Sequence, residues 1–310
     1  MTKSLTPSRR DFLAWAGSGA ALLLAGCGGT SVVDPLHPQR FLIVGDGFCD
    51  QGQTGSLPTV NDGTLTWLQQ LATYYSKVAP VKPANQDGTA WAQAFAFIDS
   101  PDTVSGTYAP SVQTQIDQML AATAITNDDL VFINGGMADI MQAITQTGIS
   151  AATTTAVKAA ASALAAQVRR LTQNGGTHVV VIGVYNISTS PWAASTGLKI
   201  KDIHNLTLNF NDQLKLDTAD LTGKTVLVLD AANFYNRVHG TPGDYGLKDV
   251  TTPVCTTPTA LTCDSSTLAD SANYKTYLFA DDRHFTPAAQ IMFGMSNYSY
   301  NGYQALINWW

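Results

Sequence analysis

Charge is what this chain has least of. Asp, Glu, Lys and Arg together make up 13% of its 310 residues, about half the ~25% of an ordinary soluble domain. The 17 basic residues form no patch and the formal net charge is −6, which argues against nucleic acid as a partner. Histidine is scarce as well. The five stand apart at positions 37, 178, 204, 239 and 284, with no HExxH pair and no Cys/His spacing suited to a metal, so no metal site is expected. There is no Gly-rich phosphate loop, no GxSxG nucleophile elbow and no internal repeat. The one long apolar run, Ala14 to Ala25, is too short and too rich in Gly and Ala for a good membrane-spanning helix.

What is there begins with an address. Ser8-Arg9-Arg10-Asp11-Phe12-Leu13 resembles a twin-arginine export signal. The apolar run then closes on Leu24-Ala25-Gly26-Cys27, which is similar to the lipobox of bacterial lipoproteins. The resemblance implies that residues 1–26 are a signal peptide and that Cys27 is acylated, giving the protein a membrane partner through its N-terminal lipid. Gly28 rather than Asp after that Cys favours the outer membrane, facing the periplasm or the cell surface. Residues 27–39 read as a lipidated tether, without apolar period. The twelve from Gly28 to Gln39 could span roughly 40 Å when extended. Residues 40–310 are expected to form one domain, with a hydrophobic content of 45% to supply its core. Cys255 and Cys263 flank a Thr/Pro-rich loop and are expected to form a disulfide in an oxidising compartment, two free thiols being the alternative.

Strands and helices alternate along that domain. Phe41 to Val44, Asp129 to Asn134, His178 to Val184 and Thr225 to Leu229 are short apolar runs of strand type. Between them, Thr66 to Tyr75, Thr153 to Gln173 and Ile203 to Leu221 carry helical periodicity. The long helix places Val157, Ala161, Leu164, Val168 and Leu171 on one face and ends at Asn174-Gly175-Gly176. Unbroken apolar strands separated by helices predict an α/β fold, a three-layer α/β/α sandwich with a mainly parallel sheet.

The first strand runs into Gly45-Asp46-Gly47-Phe48-Cys49-Asp50-Gln51-Gly52. This stretch resembles the first block of the GDSL (SGNH) family of serine esterases and lipases, with Gly47 where the family carries its nucleophilic Ser. Gly63 to Ala72 is similar to the segment that follows that block, and Asp230 through Tyr245-Gly246 to Cys255 to a later region of lipase-like members. Tyr277 to Pro287, containing Asp281-Asp282-Arg283-His284, is similar to the last block, where Asp-x-x-His precedes a helix. The resemblance implies an SGNH-hydrolase-like fold, no cofactor, His284 as general base and Asp281 as the carboxylate that orients it.

The resemblance also exposes what is missing. Gly47 cannot attack an ester. Gly136-Met137-Ala138-Asp139 stands where the family has Gly-x-Asn-Asp, so Ala138 replaces the Asn that donates to the oxyanion. The second block's Gly falls somewhere in Ala92-Gln93-Ala94-Phe95-Ala96, where no glycine occurs and Phe95 would crowd the spot. Cys49, left unpaired, is a candidate alternative nucleophile, with an inert buried thiol as the other reading. Three functions fit. One is a catalytically degenerate envelope lipoprotein that binds an acyl, ester or glycan ligand or a protein partner. Another is an esterase with a rearranged nucleophile such as Cys49, Ser56 or Ser111, and the third is a purely structural envelope lipoprotein.

Overall fold

Four consecutive apolar residues in Phe41-Leu42-Ile43-Val44 can all be buried only in a sheet covered on both faces, and all four are buried. The computed structural model describes residues 36–75 and 77–295. Its main sheet has the order β1 (Arg40–Val44), β2 (Asp129–Asn134), β3 (Val179–Ile182), β4 (Val226–Leu229), every pair parallel. Ile43 lies opposite Phe132, Phe132 opposite Val180, and Val180 opposite Leu227. On the outer side of β1, Ile43 N–H donates to the Thr89 carbonyl and Trp91 N–H to the Ile43 carbonyl, so this segment adds a single bridge to the sheet edge.

The helices are α1 (Trp67–Ala72), α2 (Val112–Ala122), α3 (Met137–Thr147), α4 (Ala151–Gln173), α5 (Pro191–Ser195), α6 (Ile200–Asp217), α7 (Ala231–Gly240) and α8 (Pro287–Met295). They make the outer layers of a three-layer α/β/α sandwich, the architecture expected. Helix α4 buries Val157, Ala161, Leu164, Val168 and Leu171, the stripe read from its periodicity, and packs along α6. Its start is set by Ser150, whose hydroxyl accepts from the Thr153 N–H. Thr66 and Gln69 form a reciprocal capping box at α1, which ends at Ala72, shorter than expected. A second, two-stranded parallel sheet pairs β5 (Asp249–Pro253) with β6 (Tyr277–Phe279). Cys255 and Cys263 are bonded in a disulfide just beyond it.

The signal peptide and the tether up to residue 35 lie outside the described residues. Residues 36–39, expected as the end of the tether, belong to the folded body. Leu36 packs against the core, Pro38 is buried, and Gln39 N–H donates to the Asp128 carbonyl at 2.8 Å.

Candidate functional site

Turns at the carboxyl ends of β1 and β2 meet the loop between β6 and α8, the place where an open parallel sheet collects its functional groups. The β1 turn is held by side chains rather than by a helix. Gln115 of α2 brackets Gly45, its Oε1 accepting from the Gly45 N–H at 2.7 Å and its Nε2 donating to the Gly45 carbonyl at 3.0 Å. Asn134 Oδ1 occupies the space a Gly45 Cβ would need, and φ of +142° adds a second reason for glycine. The Asp46 carboxylate accepts from Asn134 Nδ2 and from the Phe48 N–H. Burial raises its pKa despite those bonds. Asp50 accepts from the N–H groups of Gly52, Gln53 and Ala94 at 2.8, 3.1 and 2.8 Å. Burial still pushes it up to about 6.

The β6–α8 loop brings Asp281 and His284 together as the resemblance implied. Asp281 Oδ1 accepts from the N–H groups of Arg283 and His284, while Oδ2 accepts from His284 Nδ1 at 2.8 Å and from the Ala260 N–H at 2.8 Å. Burial alone would raise this carboxyl. The His284 charge and hydrogen bond, with the backbone donors, outweigh it and hold Asp281 well below the ordinary carboxylate range. A carboxylate on Nδ1 places the ring proton there and leaves Nε2 as the acceptor. His284 is only 4% exposed, and its Nε2 is buried without a hydrogen-bond partner.

Nε2 points at Gly47. A Cβ built on Gly47 would stand 2.6 Å from His284 Nε2, 2.8 Å from its Cδ2 and 3.5 Å from the Ala94 methyl. The imidazole therefore already fills part of the space a side chain at 47 would need. Phe95 closes the other side. Its ring meets the imidazole edge-on at 5.3 Å, and the Arg283 guanidinium lies over the same ring at 5.5 Å. Phe95 also has φ of +71°, a left-handed backbone that suits glycine. Among residues 92–96 it is Phe95 whose backbone a glycine would fit with least strain. Sequence alone left the choice open, because a dihedral angle has no side-chain signature.

Ala138 lies in the first turn of α3 and presents its methyl to an open groove of about 610 Å3, lined also by Phe95, Phe97, Met141, Trp192 and Arg283. Separately, Gly47, Asp46, Tyr185 and His284 border a cavity of about 30 Å3, room for about one water. Gly136 keeps φ of +108°, and the Phe210 ring occupies the space of any Cβ there. Asp139 closes the Gly136–Asp139 block. It has a buried Oδ2 with no partner, and burial raises its pKa to about 7.

Cys49 is fully buried in the hydrophobic core. Burial, then the charges of Asp46 and Asp50, push its thiol well above the ordinary range. The Ser111 hydroxyl caps α2 by accepting from the Thr114 N–H. Ser56 lies beside Gly52, and no hydroxyl or thiol within the described residues bonds His284 Nε2.

Comparisons with known proteins agree with this architecture. One solved crystal structure has a TM-score of 0.51 over 87% of this chain and 99% of its own, at 10% identity, a likeness of fold alone. No curated protein matches in sequence. The model of the GDSL-like lipase/acylhydrolase family matches residues 41–296, which takes in the β1 turn, the start of α3 and the Asp281–His284 loop. The chain belongs to the GDSL-like lipase/acylhydrolase family.

Proposed function

We propose that this protein is a catalytically degenerate member of its family that holds a ligand instead of cleaving an ester. In this reading it is exported through the twin-arginine signal and anchored by acylated Cys27 in the bacterial envelope, at the outer membrane. It would bind an acyl, ester or glycan ligand or a protein partner. The observation that carries the reading is the direct approach of His284 Nε2 to Gly47.

Acyl transfer by a serine hydrolase needs a nucleophile, a base for its proton, an orienting group and oxyanion donors. The base and its orienter are in place. With glycine at 47, Nε2 has no hydroxyl to deprotonate, and the imidazole has settled into the space that hydroxyl would use. Ala138 offers no donor to an oxyanion, a loss of about 10²–10³ in rate by itself. Phe95 stands between His284 and the open groove. Cys49 does not substitute, because a thiol pushed up by burial supplies almost no thiolate.

Hydrolysis of p-nitrophenyl butyrate tests this. The purified protein should match a His284→Ala control at every concentration. Turnover that His284→Ala or thiol alkylation abolishes would refute the reading.

A further inference from the structure

We propose that residues 296–309 fold back over the outer face of α8 and the start of α1. Helix α8 has no charged residue, and Gln290 is its one polar side chain. Its inner side is spent on the core, with Ala289 and Phe293 buried. Its outer side is apolar too: Ala288 and Met292 are half-buried and Ile291 is 42% exposed. A helix that is apolar all round is normally covered on every side. Leu65 extends this face at 47% exposed. Two residues on, the Trp67 N–H donates to Gln290 Oε1 at 3.3 Å, which ties α1 to α8.

A polar group marks where the cover begins. Gln70 is buried, and its Nε2 donates to the Leu65 carbonyl at 2.7 Å. Its Oε1 is buried with no hydrogen-bond partner among the described residues. A Cβ built on Gly294, one residue before α8 ends, would stand 3.1 Å from that oxygen. A buried acceptor left unmet is costly, so it calls for an N–H or O–H donor where the chain leaves the helix. The chain that follows has both properties the face requires. Residues 296–309 contain no charge, and Tyr298, Tyr300, Tyr303, Leu306, Ile307 and Trp309 supply apolar surface. Asn297 and the tyrosines carry donors, and a tyrosine can bury its ring while its hydroxyl bonds. The segment is joined directly to its seat, so docking is intramolecular and outcompetes a second copy at ordinary concentrations. Helix α8 begins three residues after His284, so its cover also steadies the loop that carries the Asp281–His284 pair.

Limited chymotrypsin digestion of the full chain tests this, with cuts located by mass spectrometry. Cuts within 296–309 should be about tenfold or more slower than in a synthetic peptide of the same residues, because cleavage follows the population of the open form. Leu65→Lys with Ile291→Lys, both at exposed positions, should raise that rate about tenfold and leave cuts elsewhere unchanged. In an otherwise unaltered chain, a photoactivatable benzoylphenylalanine in place of Ile291 should cross-link within one molecule to residues 296–309. The same group in place of Leu216 on α6, 70% exposed, should not. Cleavage as fast as in the free peptide, a rate unmoved by the two lysines, or cross-links only between molecules or to added lipid would overturn the proposal.

Discussion

Putting a side chain back at position 47 should cost stability before it restores any chemistry. Gly47 lies outside the left-handed region, so its backbone accepts serine or alanine and the penalty comes from contact. A Cβ 2.6 Å from His284 Nε2 is about 1 Å closer than a comfortable contact of ~3.5 Å. The ring would have to withdraw against its bond to Asp281 and the Phe95 ring packed on it. Overpacking of this kind costs about 1–3 kcal/mol, a fall in Tm of about 2–4 °C for each kcal/mol in a domain of this size. Gly47→Ala and Gly47→Ser should fall alike in thermal unfolding, because both carry the same Cβ. Gly47→Ser with Ala138→Asn, the pair that family resemblance nominates, should still hydrolyse p-nitrophenyl butyrate no faster than His284→Ala. Adding Phe95→Gly opens the way to His284, suits the backbone at φ +71°, and should bring activity above that control. The same protein without Ala138→Asn should be about 10²–10³ slower. An unchanged Tm for Gly47→Ala, or activity without Phe95→Gly, would refute the reasoning.

Three further outcomes follow from other parts of the molecule. Asp139 has its folded pKa raised from 3.8 to about 7, so the folded state holds a proton the unfolded state has lost. Its contribution to stability is complete below about pH 3 and falls as pH rises to about 7, by at most about 4 kcal/mol, of which about 1.5 kcal/mol is already lost at pH 5; Asp139→Asn should raise the urea midpoint most at pH 8, by less at pH 5, and leave it nearly unchanged at pH 3. The disulfide closes a loop of sequence separation 8, worth about 2–3 kcal/mol by loop entropy, so Cys255→Ser with Cys263→Ser should lower unfolding stability by that amount. Cys27→Ser should move the protein out of membrane fractions; unchanged retention with normal processing would refute lipid anchoring.

The four main strands and the long helices were legible because their apolar spacing is continuous and the longest of them ends on Gly175-Gly176, although its start lies two residues before the expected Thr153, at the Ser150 cap. Helices α2, α3 and α7 carry a similar period, for instance Met137, Ile140, Met141 and Ile144 on α3. None of the three is among the helices expected from the sequence, and α3 and α7 fall within the family blocks. Strand β5 is Thr-rich, half-exposed and irregular in register, so periodicity could not reveal it. At the site, Asp281, His284, Gly47 and Ala138 were readable as residue types in blocks. Left-handed Phe95, the filled space at Gly47 and the orphan oxygen of Asp139 depend on how distant segments pack, and one strand of letters does not encode that locally.

The β1 turn bears on what likeness between chains means. Asp46 spends its carboxylate on Phe48 and Asn134, Asp50 spends its own on Gly52, Gln53 and Ala94, and Gly45 makes way for Asn134. Every one of these duties shapes the β1 turn or ties it to the neighbouring Asn134 and Ala94 segments. None requires an ester to be present. A chain under pressure only to keep that bend would retain all three residues and stay recognisable after its chemistry had gone. Kinship read through these positions is therefore kinship of shape, and an inherited hydrolase label travels with the bend whether or not hydrolysis does.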